Sequence, residues 1–483
     1  MLNTKNIFFA TAMTAMLSSC GNDFLDTDPY QQIGDDIAIN KVEDIATAVS
    51  GTYYWMGHYA FLGRNMTAIG DIATDNAYNL GSTTHLSALY RYTYQANSSD
   101  LTYIWQGGYK VIDHSARVIK AASALLTTAS TALDSAHVYQ GLAQAYALRG
   151  YATFSVTNVF ALPYTDENRN QPGVVLVEEP KKPFEKVSRA SLADTYAYIE
   201  NQFALAADNL EKAQAIATKL GNSYAKTIYE KNPWFYMNGA AVNALQARVA
   251  LYKGDFESAK TFAQKAIELR DGKIIEDQLA YNQSFDLLPA SSEAIFLVKK
   301  ADDDNLSANS LNTLYNNYGI RVSDELKSMY AATDIRKEKM TKIQANGRYY
   351  GGKYEASVAN IPVIRLPEMY LIVAECELKA GNTQQAAEAL FEVAKRDHAI
   401  SSVSKLPTEA AELEAFIVAE RRRELFQEGH RLFDARRTKQ TMQVTGGSKT
   451  LTDGLFLYPI PLDEINTGLG VTQNEDWATY RAK

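Results

Sequence analysis

The sequence is poor in cysteine, with two residues in 483, at positions 20 and 376. A disulfide framework is therefore not expected to hold the fold. Cys376 lies in an apolar helical stretch and reads as a small buried hydrophobe. Long apolar runs are also missing. Nothing after the first twenty residues approaches the ~20 apolar residues that a membrane-crossing helix needs. The six histidines are dispersed and show no His-x3-His spacing, which disfavours a zinc enzyme. A basic excess is lacking as well. The formal net charge is -8, which argues against a nucleic-acid partner and, outside a local basic patch, against polyanionic substrates.

Cys20 gains meaning from its position. Lys5 is the only charge in the first nineteen residues, and an apolar, small-residue run from Ile7 to Leu17 follows it. That run is too short to span a bilayer and reads as a secretory signal over residues 1–19. Its exit, Leu17-Ser18-Ser19-Cys20, resembles a bacterial lipobox, in which the Cys is acylated and becomes the mature N-terminus. Several acyl chains on Cys20 would anchor the protein firmly, each buried methylene contributing ~0.8 kcal/mol. Residues 20–40 then read as a polar, acidic tether. The chain from Cys20 onward, about 460 residues, is long for one simple core, so residues 41–483 read as one composite domain.

What is abundant is helix pattern and tyrosine. Helical spacing of apolar residues recurs at 137–160, 190–218, 235–270, 365–396 and 409–437. Three segments share one step: Ala247-x3-Leu251-x2-Gly254, Ala374-x3-Leu378-x2-Gly381 and, less fully, Ala143 to Gly150. Small residues let two helices approach, and the Gly is expected to end the first helix in a left-handed cap. The fold class is therefore mainly α, built on tetratricopeptide-like helix pairs. The pairs are not tandem: 104 and 127 residues separate the three glycines, where a regular array repeats at ~34. Long insertions near 71–103, ahead of the first segment, and 271–364, between the second and third, are the expected ligand-binding part.

The insertions hold much of the chain's tyrosine and asparagine. Sugar rings pack apolar C–H faces on aromatic rings while their hydroxyls seek polar side chains, so the expected ligand contacts are Asp75, Asn76, Tyr78, Tyr90, Arg91, Tyr92, Tyr94, Tyr315, Tyr318, Tyr349 and Tyr350. Tyr90, Tyr92 and Tyr94 alternate, so in a strand they would face one way as a stacking platform or as a buried face. Tyr349 and Tyr350 beside Gly351-Gly352 read as exposed; Trp55 and Trp105, in apolar helical surroundings, read as core. Trp234 fits either place. Ala294–Val298 reads as a strand.

Several motifs invite sharper chemistry. Asp302-Asp303-Asp304-Asn305 lacks the spaced oxygens, Gly and Glu of an EF-hand loop and reads as a solvated acidic loop. Asp71 and Asp75 raise the question of a glycosidase pair, but any acidic chain offers such pairs. The Glu420–Arg437 segment carries six Arg and three Glu. Its acids stand four apart with Arg within reach, which favours ion pairing between and within helices over an anion clamp. No catalytic residue, metal site or cofactor is expected.

Three segments together resemble the SusD/RagB family of outer-membrane lipoproteins. They are Asp23-Phe24-Leu25-Asp26 after Cys20; Glu420-Arg421-Arg422-Arg423-Glu424-Leu425-Phe426 continuing through Glu428-Gly429-His430-Arg431 to Asp434 and Arg437; and Tyr458-Pro459-Ile460-Pro461. The resemblance implies helix pairs of tetratricopeptide type under a less regular ligand-binding half. It also implies capture of a glycan at the cell surface and delivery to a SusC-like TonB-dependent transporter, without catalysis. A peptide ligand is the alternative within the same role; a surface hydrolase or a structural subunit are the alternatives outside it.

Overall fold

Four of the main helices begin where a short polar side chain satisfies a free backbone N–H. The computed structural model describes residues 38–79, 85–285, 291–343, 349–350, 352–444, 449–451 and 457–478. Its main helices are α1 (Val42–Met56), α2 (Asn65–Ile72), α3 (Ser99–Thr128), α4 (Ala132–Phe160), α5 (Leu192–Leu220), α6 (Gly239–Lys253), α7 (Phe256–Arg270), α8 (Leu366–Lys379), α9 (Thr383–Ala394), α10 (Ala410–Leu425) and α11 (Arg431–Arg437). Thr131, Ser191, Asn238 and Asp255 each accept a hydrogen bond from the third residue of the helix that follows.

The expected pairs are present at α6/α7 and α8/α9. Gly254 and Gly381 both stand at φ +83°, the left-handed conformation that lets the chain reverse at once. Gly150 behaves differently. It lies inside α4, which runs on to Phe160. A Cβ there would sit 3.0 Å from the Gln202 Cβ and 3.3 Å from Phe203, so this glycine serves the close packing of α4 on α5. No capping residue follows it, and the next ten residues continue as apolar helix.

The pairs stack in sequence. α4 packs on α3 and α5, α6 on α7, α7 on α8, and α8 on α9 and α10. One core runs through most of this stack, from Phe61 and Ile69 through Phe154 and Leu245 to Ile372. A smaller core lies between α8, α9 and α10, around Leu371, Leu390 and Ile417. Another joins α1, α3 and α4 around Val49, Val118 and Leu142. Cys376 is buried, and burial pushes its thiol up to about 12.

The less regular half contains short antiparallel strand pairs. They are β1 (Ala77–Asn79) with β5 (Ile320–Val322), β2 (Pro172–Val175) with β3 (Arg189–Ser191), β4 (Ala294–Val298) with β8 (Ile361–Arg365), β6 (Lys342–Ile343) with β7 (Tyr349–Tyr350), and β9 (Met442–Val444) with β10 (Lys449–Leu451). The strand expected at Ala294–Val298 is β4, buried along its whole length.

Buried charge ties the two halves together. Glu424 on α10 meets Arg336 at 3.1 Å, Arg365 at 2.8 Å and Arg396 at 2.8 Å, and all four side chains are at most 3% exposed. Burial alone would push the Glu424 carboxyl up, but the three guanidinium groups outweigh it and hold it well below the usual carboxylate range. Arg336 also pairs with Asp334 and Glu420, Arg365 with Glu293 and Glu428, and Arg396 with Glu293. The motif helix therefore acts as an internal anchor for the 271–364 insertion. Removing one partner of such a network strands the others without solvent, at a cost of about 3–5 kcal/mol.

Candidate functional site

The end of α1 carries an aromatic run, Tyr53-Tyr54-Trp55, and after Gly57 come His58 and Tyr59. Gly57 is needed there: a Cβ would stand 2.8 Å from Val298 Cγ1 and 2.9 Å from Lys300 Nζ. Trp55 and His58 stand 5.1 Å apart between ring centres, His58 and Tyr59 4.3 Å, and Tyr59 and Tyr103 of α3 5.6 Å. All four rings are half-buried, with one part on the core and one part toward solvent. Lys110, one turn further along α3 than Gln106, places its ammonium 4.3 Å from the centre of the Trp55 ring.

Arg64 lies beneath this strip. It is 1% exposed, and its guanidinium stands 5.2 Å from the Tyr59 ring centre. It donates to the Asn65 and Asn309 side-chain oxygens at 2.9 and 2.8 Å. Asp100 and the rings of Tyr59, Tyr318 and Tyr103 are its electrostatic neighbours. Asp100 in turn accepts the Leu86 N–H at 3.0 Å, which fixes the backbone beside His85. His85 and Tyr318 are stacked at 5.3 Å with 28° between their planes. The strip thus has two parts, the rings of Trp55, His58, Tyr59 and Tyr103 in succession and the His85–Tyr318 stack, with the buried Arg64 an electrostatic neighbour of both.

The charge state of the strip follows from burial. Burial and then Lys300 hold His58 below its ordinary value. Burial and then Arg64 do the same to His85. Both imidazoles are therefore neutral at pH 7, and a neutral imidazole carries one donor and one acceptor nitrogen. His58 Nδ1 accepts the Ala60 N–H at 3.3 Å, so its proton sits on Nε2.

Beside the strip, Trp55, Tyr59, Tyr103, Tyr109 and Lys110 line a cleft of about 630 Å³, closed on its far side by Val175, Val187 and Glu464. That volume is in the range of pockets for small ligands, ~300–1,000 Å³. Tyr109 is fixed by its hydroxyl, which donates to the Val175 carbonyl at 3.1 Å and accepts its N–H at 2.9 Å. Trp105 is core, with its indole N–H donated to Glu464 at 3.3 Å. The cleft offers aromatic faces and polar edges, the chemistry that holds an amphipathic ring such as a sugar.

The expected contacts distribute unevenly. Tyr318 is in the strip. Tyr78 is 37% exposed on β1, with Arg321, its partner on β5, stacked 4.7 Å over it. Arg91 is exposed. Asp75, Asn76, Tyr90, Tyr92, Tyr94 and Tyr315 are all buried and present no face to a ligand. Asp75 and Asn76 are spent on arginines of the motif helices. The alternation of Tyr90, Tyr92 and Tyr94 does not form a strand. Tyr90 closes a short helix, Ser87–Tyr90, and Tyr92 takes φ +55°, which turns the chain inward. The Tyr92 hydroxyl then donates to the Ala73 carbonyl at 2.6 Å, and Tyr94 packs 4.8 Å from Tyr458. Tyr349 and Tyr350 lie in β7, and their side chains fall outside the described residues, as does Cys20.

Other readings also find their place. Asp71 and Asp75 face internal donors, Asn76 and Gln427 N–H for the first and Arg431 for the second. The loop at Asp302–Asp304 forms one turn of 3-10 helix, and Asp304 pairs with Lys300 at 2.7 Å. Trp234 is half-buried under Arg270, 4.3 Å away. Among the described residues no group of three His, Cys, Asp or Glu side chains is placed to hold a metal ion. No described helix is long and apolar enough to cross a membrane.

Trp55, His58, Tyr59, Tyr103 and Tyr109 were not among the expected contacts. Trp55, expected in the core, lies at the rim of the cleft. The signal for Trp55, His58 and Tyr59 was present in the sequence: Tyr53 to Tyr59 holds four aromatic residues and a histidine around one helix-ending glycine.

A putative sugar binding protein of Bacteroides vulgatus shares the fold at TM-score 0.78 with 24% identity, over 91% of this chain and 99% of that one. A SusD superfamily protein of Bacteroides thetaiotaomicron matches at TM-score 0.77 with 21% identity, over 90% and 99%. A SusD-like protein of Formosa agariphila is 31% identical over 107 residues, a stretch that spans 21% of each chain. The SusD family model matches residues 126–477, most of the chain. The chain therefore belongs to the SusD family.

Proposed function

We propose that this protein is a cell-surface receptor that captures oligosaccharides and delivers them to a SusC-like TonB-dependent transporter in the outer membrane. The observation that carries this reading is the strip of half-buried rings over Arg64, with the 630 Å³ cleft beside it. Ring faces supply stacking for sugar C–H surfaces, and neutral His58 and His85 supply hydrogen bonds without a charge preference. The similar Bacteroides vulgatus structure, described as a putative sugar binding protein, supports the same ligand class. Acylation at Cys20, after the Leu17-Ser18-Ser19 exit, would hold the protein on the membrane.

The stacked pairs offer the surface for the transporter. A groove of about 1140 Å³ runs between α4, α5, α6 and α7, with Gln140, Gln214, Asn243, Gln246 and Phe262 in its walls. Capture and hand-over need no bond made or broken, so no catalytic role is assigned.

Calorimetric titration of the soluble chain after Cys20 against oligosaccharides and peptides tests the ligand class, with product analysis of the same mixtures. Saturable sugar binding that Tyr59→Ala and Tyr103→Ala weaken supports the reading. Binding of peptides alone moves the ligand class. Cleaved product, or sugar binding indifferent to both substitutions, overturns it.

A further inference from the structure

Tyr53 and Tyr54 follow one another in α1 and face different ways. Tyr53 turns inward: its hydroxyl donates to the Gln144 side-chain oxygen at 2.6 Å, and its ring meets Tyr236 edge-on at 5.1 Å. Tyr54 turns outward and is 51% exposed. Its ring centre stands 5.6 Å from that of Trp55, edge to face, and 6.4 Å from that of His58. Tyr54 therefore adds one more exposed member to the succession Trp55, His58, Tyr59 and Tyr103. It lies beyond the cleft, whose walls include Trp55 and His58 but not Tyr54.

One face of the Trp55 ring is already taken, because the Lys110 ammonium lies 4.3 Å over its centre. A sugar chain leaving the cleft past Trp55 thus finds its next open ring at Tyr54. The half-exposed phenol offers an apolar face and a polar tip, as the rings inside the cleft do.

A second observation lies one turn earlier in α1. Gly51 stands three residues before Tyr54 and four before Trp55, so the three share one face of the helix. Glycine weakens a helix interior, and a reason to keep it there is a neighbour that leaves no room for a side chain. Gly70, Gly107, Gly108, Gly141 and Gly150 have that reason: a Cβ on each would stand 3.1 Å or less from another group. A Cβ on Gly51 would meet no described atom within 4 Å. Packing among the described residues therefore does not account for this glycine. Its bare backbone leaves an open track beside the Tyr54 ring.

We propose that the ligand is an extended oligosaccharide whose chain runs out of the cleft past Trp55, stacks on Tyr54 and crosses the bare backbone at Gly51. The inference rests on the receptor reading and adds ligand length to it. Continuity with the ring succession identifies the occupant of this face as the same glycan. Tyr54 does not meet a ligand short enough to sit in the cleft alone, so it separates long chains from short ones. Gly51 contributes by having no side chain, since any side chain there stands in the track.

Calorimetric titration of the soluble chain after Cys20 with paired disaccharide and octasaccharide fragments of α-glucan, β-glucan, mannan and xylan tests the inference. Wild type is expected to bind the octasaccharide of its preferred glycan about ten-fold tighter than the disaccharide. Tyr54→Ala and Gly51→Leu are each expected to remove that gain and to leave disaccharide affinity unchanged. Leu is the better helix former, so Gly51→Leu should also raise the melting temperature, which separates a blocked track from a damaged fold. Equal wild-type affinity for the two lengths overturns the extension, as does a length gain that either variant keeps. Binding that Tyr59→Ala still weakens leaves the receptor reading standing in both cases. No binding of any fragment overturns the receptor reading and the extension together.

Discussion

Arg431 holds Asp75 through two parallel hydrogen bonds, Nε to Oδ1 at 2.7 Å and Nη2 to Oδ2 at 2.8 Å, across 356 residues of sequence. The contact clips the first insertion to the C-terminal motif helix, and Arg422 stands 3.3 Å from the same carboxylate. Arg431 holds the Asp75 carboxyl below its ordinary value in spite of burial. Asp75→Ala leaves the buried Arg431 guanidinium facing no acid, so a loss of about 3–5 kcal/mol is expected in urea unfolding. Affinity for sugar in the folded fraction should stay unchanged. Lost affinity with unchanged unfolding would restore Asp75 as a ligand contact.

The aromatic strip predicts the opposite split. Tyr59 and Tyr103 have one face on the core and one toward solvent, so truncation removes stacking area more than packing. Tyr59→Ala and Tyr103→Ala should each weaken oligosaccharide binding by about ten-fold, ~1–2 kcal/mol, in calorimetric titration. Tyr94→Phe, deep against Tyr458, should leave affinity unchanged. If Tyr94→Phe weakens binding while Tyr59→Ala does not, the strip is not the ligand surface.

Legibility in the sequence followed the range of the interactions. The pairs at Gly254 and Gly381 were readable because one local step, Ala-x3-Leu-x2-Gly, contains both the close approach and the left-handed cap. The same step at Gly150 misled, since a glycine needed for helix contact looks like one needed for a turn. Ion pairing was readable in Glu420–Arg437, but its partners Arg336, Arg365 and Arg396 were not, because they arrive from a strand end and two turns with no motif of their own. Tyrosine density did not separate half-buried Tyr318 from the buried Tyr90, Tyr92, Tyr94 and Tyr315. Composition cannot tell a ring whose hydroxyl meets Ala73 inside the core from one left half-open beside Arg64.

Two buried titrating groups set opposite slopes of stability against pH. Burial, with Arg248 and Arg421 nearby, lowers His430 to about 4, although Glu368 and Asp434 oppose this. Between about pH 6.5 and 4 the unfolded chain binds that proton first, so stability falls on acidification. Burial raises Asp71 to about 6, against the opposing bonds from Asn76 and Gln427. Between about pH 6 and 4 the folded chain binds that proton first, so this group makes stability rise on acidification. His430→Gln should therefore flatten or reverse the acid-side decline in urea midpoint, and Asp71→Asn should steepen it. Parallel profiles for both variants and wild type would mean that neither group titrates in that window.

The crossing of α2 with the turn before α11 allows no side chain at Gly70. A Cβ built there would lie 2.2 Å from the Gly429 carbonyl oxygen and 2.3 Å from its carbon, both backbone atoms that no rotamer change can move. Gly429 itself sits at φ +83°, so the turn has little freedom to retreat. Gly70→Ala must push α2 away from the turn that carries Gln427 N–H to Asp71 at 2.9 Å, and loosen that bond with it. A loss of about 3 kcal/mol is expected in urea unfolding, the upper part of the usual range for overpacking. Gly254→Ala meets no atom within 4 Å and suffers only its left-handed backbone, so it should cost about 1 kcal/mol. The ratio of the two separates steric from conformational demand. Equal losses would show that α2 can shift freely, and that the packing of Gly70 on Gly429 does not fix the insertion in place.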